Sequence, residues 1–243
     1  MKNLFKNSVY AAAAFVLALG AASCSDSDGD YTFADEREEA LKDAAVDFVD
    51  NNVIPTYKAL ADGSIALQED CEAMLEAFDA GTLTTPLVQA ACNDWITTRK
   101  HWELSEAYLY GAAADYDIAT EVGSQKIGRP ANGTSSEDIN YIESPYSQNS
   151  KTDFIDNIIS IRNTYQGMTS GDASVSDWIE VVDPVLDTEV RNAISTAIEK
   201  IQACPAPFVD NRTAQAWKDA ATYCNNDLVN ALTKALTALS VEK

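Results

Sequence analysis

Histidine is all but missing from this chain: His101 is the single one in 243 residues. A Ser-His-Asp or Cys-His enzyme would have to use it, and nothing in the sequence supplies the context of either. No C-x-x-C pair and no Cys/His spacing suggests zinc. Bases are scarce too, 17 Lys and Arg against 38 Asp and Glu, for a net charge of −21. That balance argues against nucleic acid and against an anionic lipid surface as partner. No β-rich run breaks the helical periodicity, and no apolar run reaches the ~20 residues of a membrane span.

The start of the chain reads as a targeting segment. Lys2 and Lys6 precede the apolar run Ala11–Gly20, and Ala21-Ala22-Ser23-Cys24 matches a bacterial lipobox. Residues 1–23 are thus expected to be a lipoprotein signal peptide, with Cys24 the lipid-bearing mature N-terminus. The alternative is an ordinary secretory signal with a chance cysteine. Acyl chains contribute ~0.8 kcal/mol per buried methylene, so several hold a domain at a membrane without a spanning helix. The membrane partner would then be reached through the lipid, and the protein would be an outer-membrane lipoprotein of the cell envelope, periplasmic or surface-exposed. Residues 24–31 (CSDSDGDY) form a polar, acidic, flexible tether. Without residues 1–23, 15 basic against 38 acidic residues leave −23.

Residues 32–243 read as one helical region. Periodic apolar positions predict helices over Asp35–Ala61 (kinked at Pro55), Ser64–Ala80, Thr85 to about Gly111, Lys151–Gln166, Thr188–Ala203 and Thr213–Leu239. Pro86 suits a helix N1 position, and Asp187 is the expected cap of the 188–203 helix. Residues 115–146 hold Gly123, Gly128, Pro130, Gly133 and Pro145 without a clear period, and read as an irregular linker between two helical halves. The fold class is therefore all-α, one or two antiparallel helical bundles.

The chemistry concentrates in Trp95–Gly111 (WITTRKHWELSEAYLYG). Trp95, Arg99, Trp102, Glu103 and Glu106 fall within roughly a third of a helix circumference. Two indoles, one guanidinium and two carboxylates on one stripe make a half-buried polar wall. It is either a buried ion-pair network fixing helix register or a ligand pocket. In the second case Glu103 and Glu106, one turn apart, suit a hard cation or ferric iron. His101 points off the stripe. Cys71, Cys92, Cys204 and Cys224 are even in number, so disulfides are open to an exported chain; 71–92 and 204–224 are the natural pairs, and four reduced thiols the alternative.

The arrangement W-x-x-x-R-x-x-W-E-x-S-E-A-x-x-x-G at Trp95–Gly111 resembles the first conserved block of imelysin-like proteins, also filed as peptidase family M75. Val53–Ala61 (VIPTYKALA) is similar to the preceding helix of that family, and Ser147–Gly167 to its later block. The resemblance implies an imelysin-like all-α fold of two bundle-like halves, an envelope location and a link to iron. It also implies a Gly-x-His-x-x-Glu signature between the blocks, which this sequence lacks. The expectation is a non-catalytic binding or accessory component of iron or haem uptake, with iron or haem as ligand and other envelope uptake components as partners. A scaffold lipoprotein with a decayed site is the alternative, and an M75-type peptidase a third.

Overall fold

The computed structural model describes residues 32–109 and 118–239. The signal peptide, Cys24 and the tether lie outside them. Among the described residues every regular element is helical.

Helix α1 (Phe33–Asp47) opens on a capping box, in which Thr32 Oγ1 accepts from Asp35 N while the Asp35 carboxylate accepts from Thr32 N at 2.8 Å. A π turn over Phe48–Val53 joins it to α2 (Ile54–Asp79). The break in this first arm therefore lies before Pro55, not at residues 62–63. Pro55 sits in the first turn of α2, where its missing N–H costs nothing. Gly63 lies inside α2 because α3 (Thr85–Glu103) passes it closely; a Cβ there would stand 2.6 Å from Thr98 Oγ1. Gly81, at φ +68, turns the chain between the two helices. Pro86 starts α3 as expected.

The segment expected to be an irregular linker is mostly helical. Helix α4 (Ile118–Thr120), a π turn (Glu121–Ile127) and α5 (Gly128–Asn132) run on continuously, and α6 (Ser136–Ile139) follows. The π turn inserts an extra residue and shifts the apolar register, so no single period fits. Gly123 and Gly128 serve close packing rather than turns. A Cβ on Gly123 would stand 2.6 Å from Asn225 N, and one on Gly128 2.5 Å from Gly123 O.

Helices α7 (Ser150–Gln166), α8 (Val175–Val182), α9 (Pro184–Ala203), α10 (Phe208–Asn211), α11 (Gln215–Tyr223) and α12 (Val229–Leu239) build the main core, with a π turn (Cys224–Leu228) between the last two. Phe154, Phe208 and Trp217 meet edge-on with centroids 4.7 to 6.0 Å apart, and the Trp217 indole donates to Pro205 O at 3.0 Å. Ile158, Ile194, Ile201 and Leu228 close around them. Helix α9 starts four residues earlier than its periodicity suggests. Asp183 caps it, accepting from Val185 N and Leu186 N. Asp187 is instead buried, accepting from Tyr165 and Ser176 and paired with Arg191 at 2.7 Å.

The four cysteines among the described residues, Cys71, Cys92, Cys204 and Cys224, are free thiols, so neither candidate disulfide is formed. Cys71 and Cys92 are exposed. Cys204 and Cys224 are buried, and burial pushes their thiols up to about 11 and about 12, which leaves them protonated and unreactive at neutral pH.

Candidate functional site: a buried cage of carboxylates

Helix α7 is a wall with two faces. Phe154, Ile158 and Ile161 turn to the apolar core, while Asp153, Asn157 and Ser160 turn toward the end of α3, and all six are buried. Against the polar face stand Arg99 and Glu103 from α3, Glu106 from a 3-10 turn (Glu106–Tyr108), Lys126 from the π turn, and Glu143 from the loop before α7. Chain segments far apart in sequence are thus held together by charge.

Two cations organise the cage. Arg99 reaches Glu103 at 2.7 Å, Glu143 at 2.9 Å and Asp153 at 3.0 Å. Lys126 Nζ lies 3.1 Å from Glu106, 3.2 Å from Glu143 and 3.6 Å from Glu103, and donates to Asn157 Oδ1 at 2.9 Å. The Asn157 amide in turn donates to Glu103 Oε2 at 2.7 Å. Asp153 accepts further from Ser144 at 2.5 Å and Asn149 at 2.6 Å. Glu103, with no solvent exposure, bridges both cations.

Acid outnumbers base here, five carboxyls (with Glu121) against two cations. The surplus shows in the titration. Burial and the neighbouring Glu143 push Glu103 up to about 8, against the pull of Lys126 and Arg99. Burial also raises Glu121. For Lys126 burial works the other way, but Glu143, Glu103, Glu106 and Glu121 together outweigh it and hold the ammonium charged. At neutral pH Glu103 is the group that keeps its proton, and Lys126 stays a cation.

Carboxylate oxygens of Glu103, Glu106 and Glu143 lie within 4.8 Å of one another, a spacing that could ligate a metal ion. The donor set does not fit one as it stands, because Lys126 Nζ already contacts all three. The cage carries its own counter-ion.

The stripe read from the sequence is only partly assembled. Arg99, Glu103 and Glu106 join the cage, and Trp95 stacks beneath Arg99 at 5.4 Å from its ring centre. Trp102, still inside α3, shares that face but stands largely in solvent and takes no part in the cage. His101 is outside the cage; burial, with Lys100 beside it, lowers its pKa and keeps it neutral at pH 7. Lys126, Glu143, Asp153 and Asn157 complete the cage and carry no motif spacing that marks them in the sequence as site residues. The available hint was the pair Asp153 and Asn157, one turn apart on an isoleucine-rich helix. A cleft of about 610 Å³, lined among others by Asp43, Asp47, Asp172, Asp177 and Arg191, shares no residue with the cage.

The sequence profile of the imelysin family, peptidase M75, matches residues 116–241. The chain belongs to the imelysin family. The match takes in Lys126, Glu143 and α7, but not the Trp95–Gly111 and Val53–Ala61 segments. A putative iron-regulated protein A precursor from Parabacteroides distasonis ATCC 8503 is similar in structure, with a TM-score of 0.71 at 18% identity over 89% of this chain and 98% of that one. An imelysin peptidase from Bacteroides ovatus gives 0.48 at 23% identity, over 88% of this chain and 57% of that one. No curated protein matches. At 18% identity the first likeness shows the fold alone, an all-α, imelysin-like one. Read from Gly123, this imelysin-family chain has Gly-Ser-Gln-Lys-Ile-Gly, with glutamine and glycine where the signature has His and Glu.

Proposed function

We propose that this chain is a non-catalytic, lipid-anchored imelysin-family protein of the cell envelope, acting as an accessory or scaffold component in iron uptake rather than binding iron in its carboxylate cage. The observation that carries the reading is Lys126, whose ammonium stands within 3.1–3.6 Å of all three carboxylates that would otherwise ligate a cation. A ferric ion at Glu103 and Glu106 would have to expel a buried, fourfold-held ammonium, at a cost of several kcal/mol. The Parabacteroides protein is named as iron-regulated and as a precursor, which supports the iron link and export. The lipobox at Ala21–Cys24 supports the anchor, and no described helix is long and apolar enough to cross a membrane.

Calorimetry with ferric citrate tests the cage. The wild-type chain should give no saturable heat, and Lys126→Ala should be the variant that gains one. Iron binding by the wild type that is lost in Glu106→Gln would replace this reading with the second one, an iron-binding cage; the surplus of carboxyls favours that alternative. Labelled palmitate should enter the wild type in cells and not Cys24→Ser.

A further inference from the structure

Helices α2 and α3 form an arm with one side that nothing among the described residues covers. Helix α2 packs chiefly on α3 and on the π turn before it, and Thr56 is its one fully buried residue. Yet large apolar side chains stand in water along it, Phe78 at 68%, Leu75 at 61% and Ile65 at 58% exposure. Helix α3 adds Val88, Ile96 and Trp102, also exposed. At 3.6 residues per turn, and with the two helices antiparallel about the Gly63–Thr98 contact, Leu75 and Phe78 of α2 and Val88 and Trp102 of α3 fall on one side of the hairpin, while Ile65 and Ile96 point away from the facing helix. Small residues at the contact bring the helices close, so the first four flank a shallow groove. Two helices with an apolar groove between them are a bundle short of its third member.

Charge selects the occupant. From residue 59 to residue 98 there is no Lys or Arg, against seven Asp and Glu. Glu69, Glu72 and Glu76 line the arm in solvent. A second copy of this chain, itself at −21, is repelled by such a surface. We infer that the groove of the α2–α3 arm docks a basic amphipathic helix of a partner protein, its apolar face against Leu75, Phe78 and Val88 and its lysines or arginines against the flanking glutamates. This inference stands independently of the cage and of iron.

The test uses the mature chain and an 18-residue helical peptide of leucine and lysine, leucines at three-and-four spacing, with a glutamate-for-lysine control. The basic peptide should bind, weaken at least tenfold from 50 to 500 mM salt, and slow alkylation of the exposed thiols of Cys71 and Cys92. Leu75→Ser with Phe78→Ser should raise its Kd at least tenfold with unchanged helical circular dichroism. Glu72→Lys with Glu76→Lys should do so as well, without touching an apolar residue. Equal binding of both peptides, an affinity indifferent to both double variants, or sedimentation of the chain as a dimer that buries this groove would overturn the inference.

Discussion

The two faces of α7 solve the same problem by opposite means. Toward Phe154, Ile158 and Ile161 the molecule excludes water and lets dispersion and apolar burial hold α9, α11 and α12 in place. Toward Asp153, Asn157 and Ser160 it buries charge, and must satisfy each group with named partners. The apolar face tolerates inexact partners of the right volume. The polar face does not, because a buried charge deprived of its partner keeps its desolvation cost. The first face therefore sets how stable the fold is, and the second sets which segments meet.

The sharpest way to break this contrast is to damage each face once. Trp217→Ala in the core and Lys126→Ala in the cage should each cost about 3–5 kcal/mol in urea unfolding. Their pH dependence should separate them. The Lys126→Ala loss should shrink in acid, where the stranded carboxyls take up protons, and the Trp217→Ala loss should stay constant.

Next in size is the pH profile of the wild type. Unfolded, Glu103 releases its proton at the ordinary glutamate value of 4.5, whereas folded it holds it to about 8. The folded state thus binds the extra proton between these values, and this contribution to stability, full below about 4.5, is lost as pH rises to about 8. Asp156, pushed up to about 6 chiefly by burial, acts in the same direction over the lower part of the range. Thermal melts should show the decline, and Glu103→Gln should flatten most of it. A wild-type profile that rises through this window would contradict the assignment.

Asn157→Ala should cost about 1–3 kcal/mol, since it strips a hydrogen bond from both Lys126 and Glu103. On the other face of the same helix turn, Ile158→Val should cost about 0.5–1.5 kcal/mol. If the two values were reversed in chemical unfolding, the polar face would be the more forgiving one.

Where one apolar period persists, the sequence is readable: α7 and α9 follow from their isoleucines, and Pro86 marks the start of α3. The π turn at Glu121–Ile127 defeats that logic, because an extra residue in a turn moves the apolar face off any fixed spacing. In the cage, Arg99 and Glu103 are legible as an i,i+4 pair with Glu106 a turn on. Lys126 and Glu143 are not, since their only relation to that pair is tertiary. A lone lysine amid glycines looks like a solvated loop until the chain is folded over it.

Gly123 in the π turn and Gly128 just after it have a consequence for how relatives of this protein are to be recognised. Neither Gly123 nor Gly128 has room for a Cβ, one facing the backbone at Asn225 and the other its own preceding turn, and between them stands the lysine that neutralises the cage. The spelling Gly-x-x-Lys-x-Gly is thus a steric and electrostatic fingerprint in one. A chain of this fold that carries it together with an upstream Arg-x-x-x-Glu-x-x-Glu should hold the same internal counter-ion, and one that replaces the lysine should leave its carboxylates open to a cation.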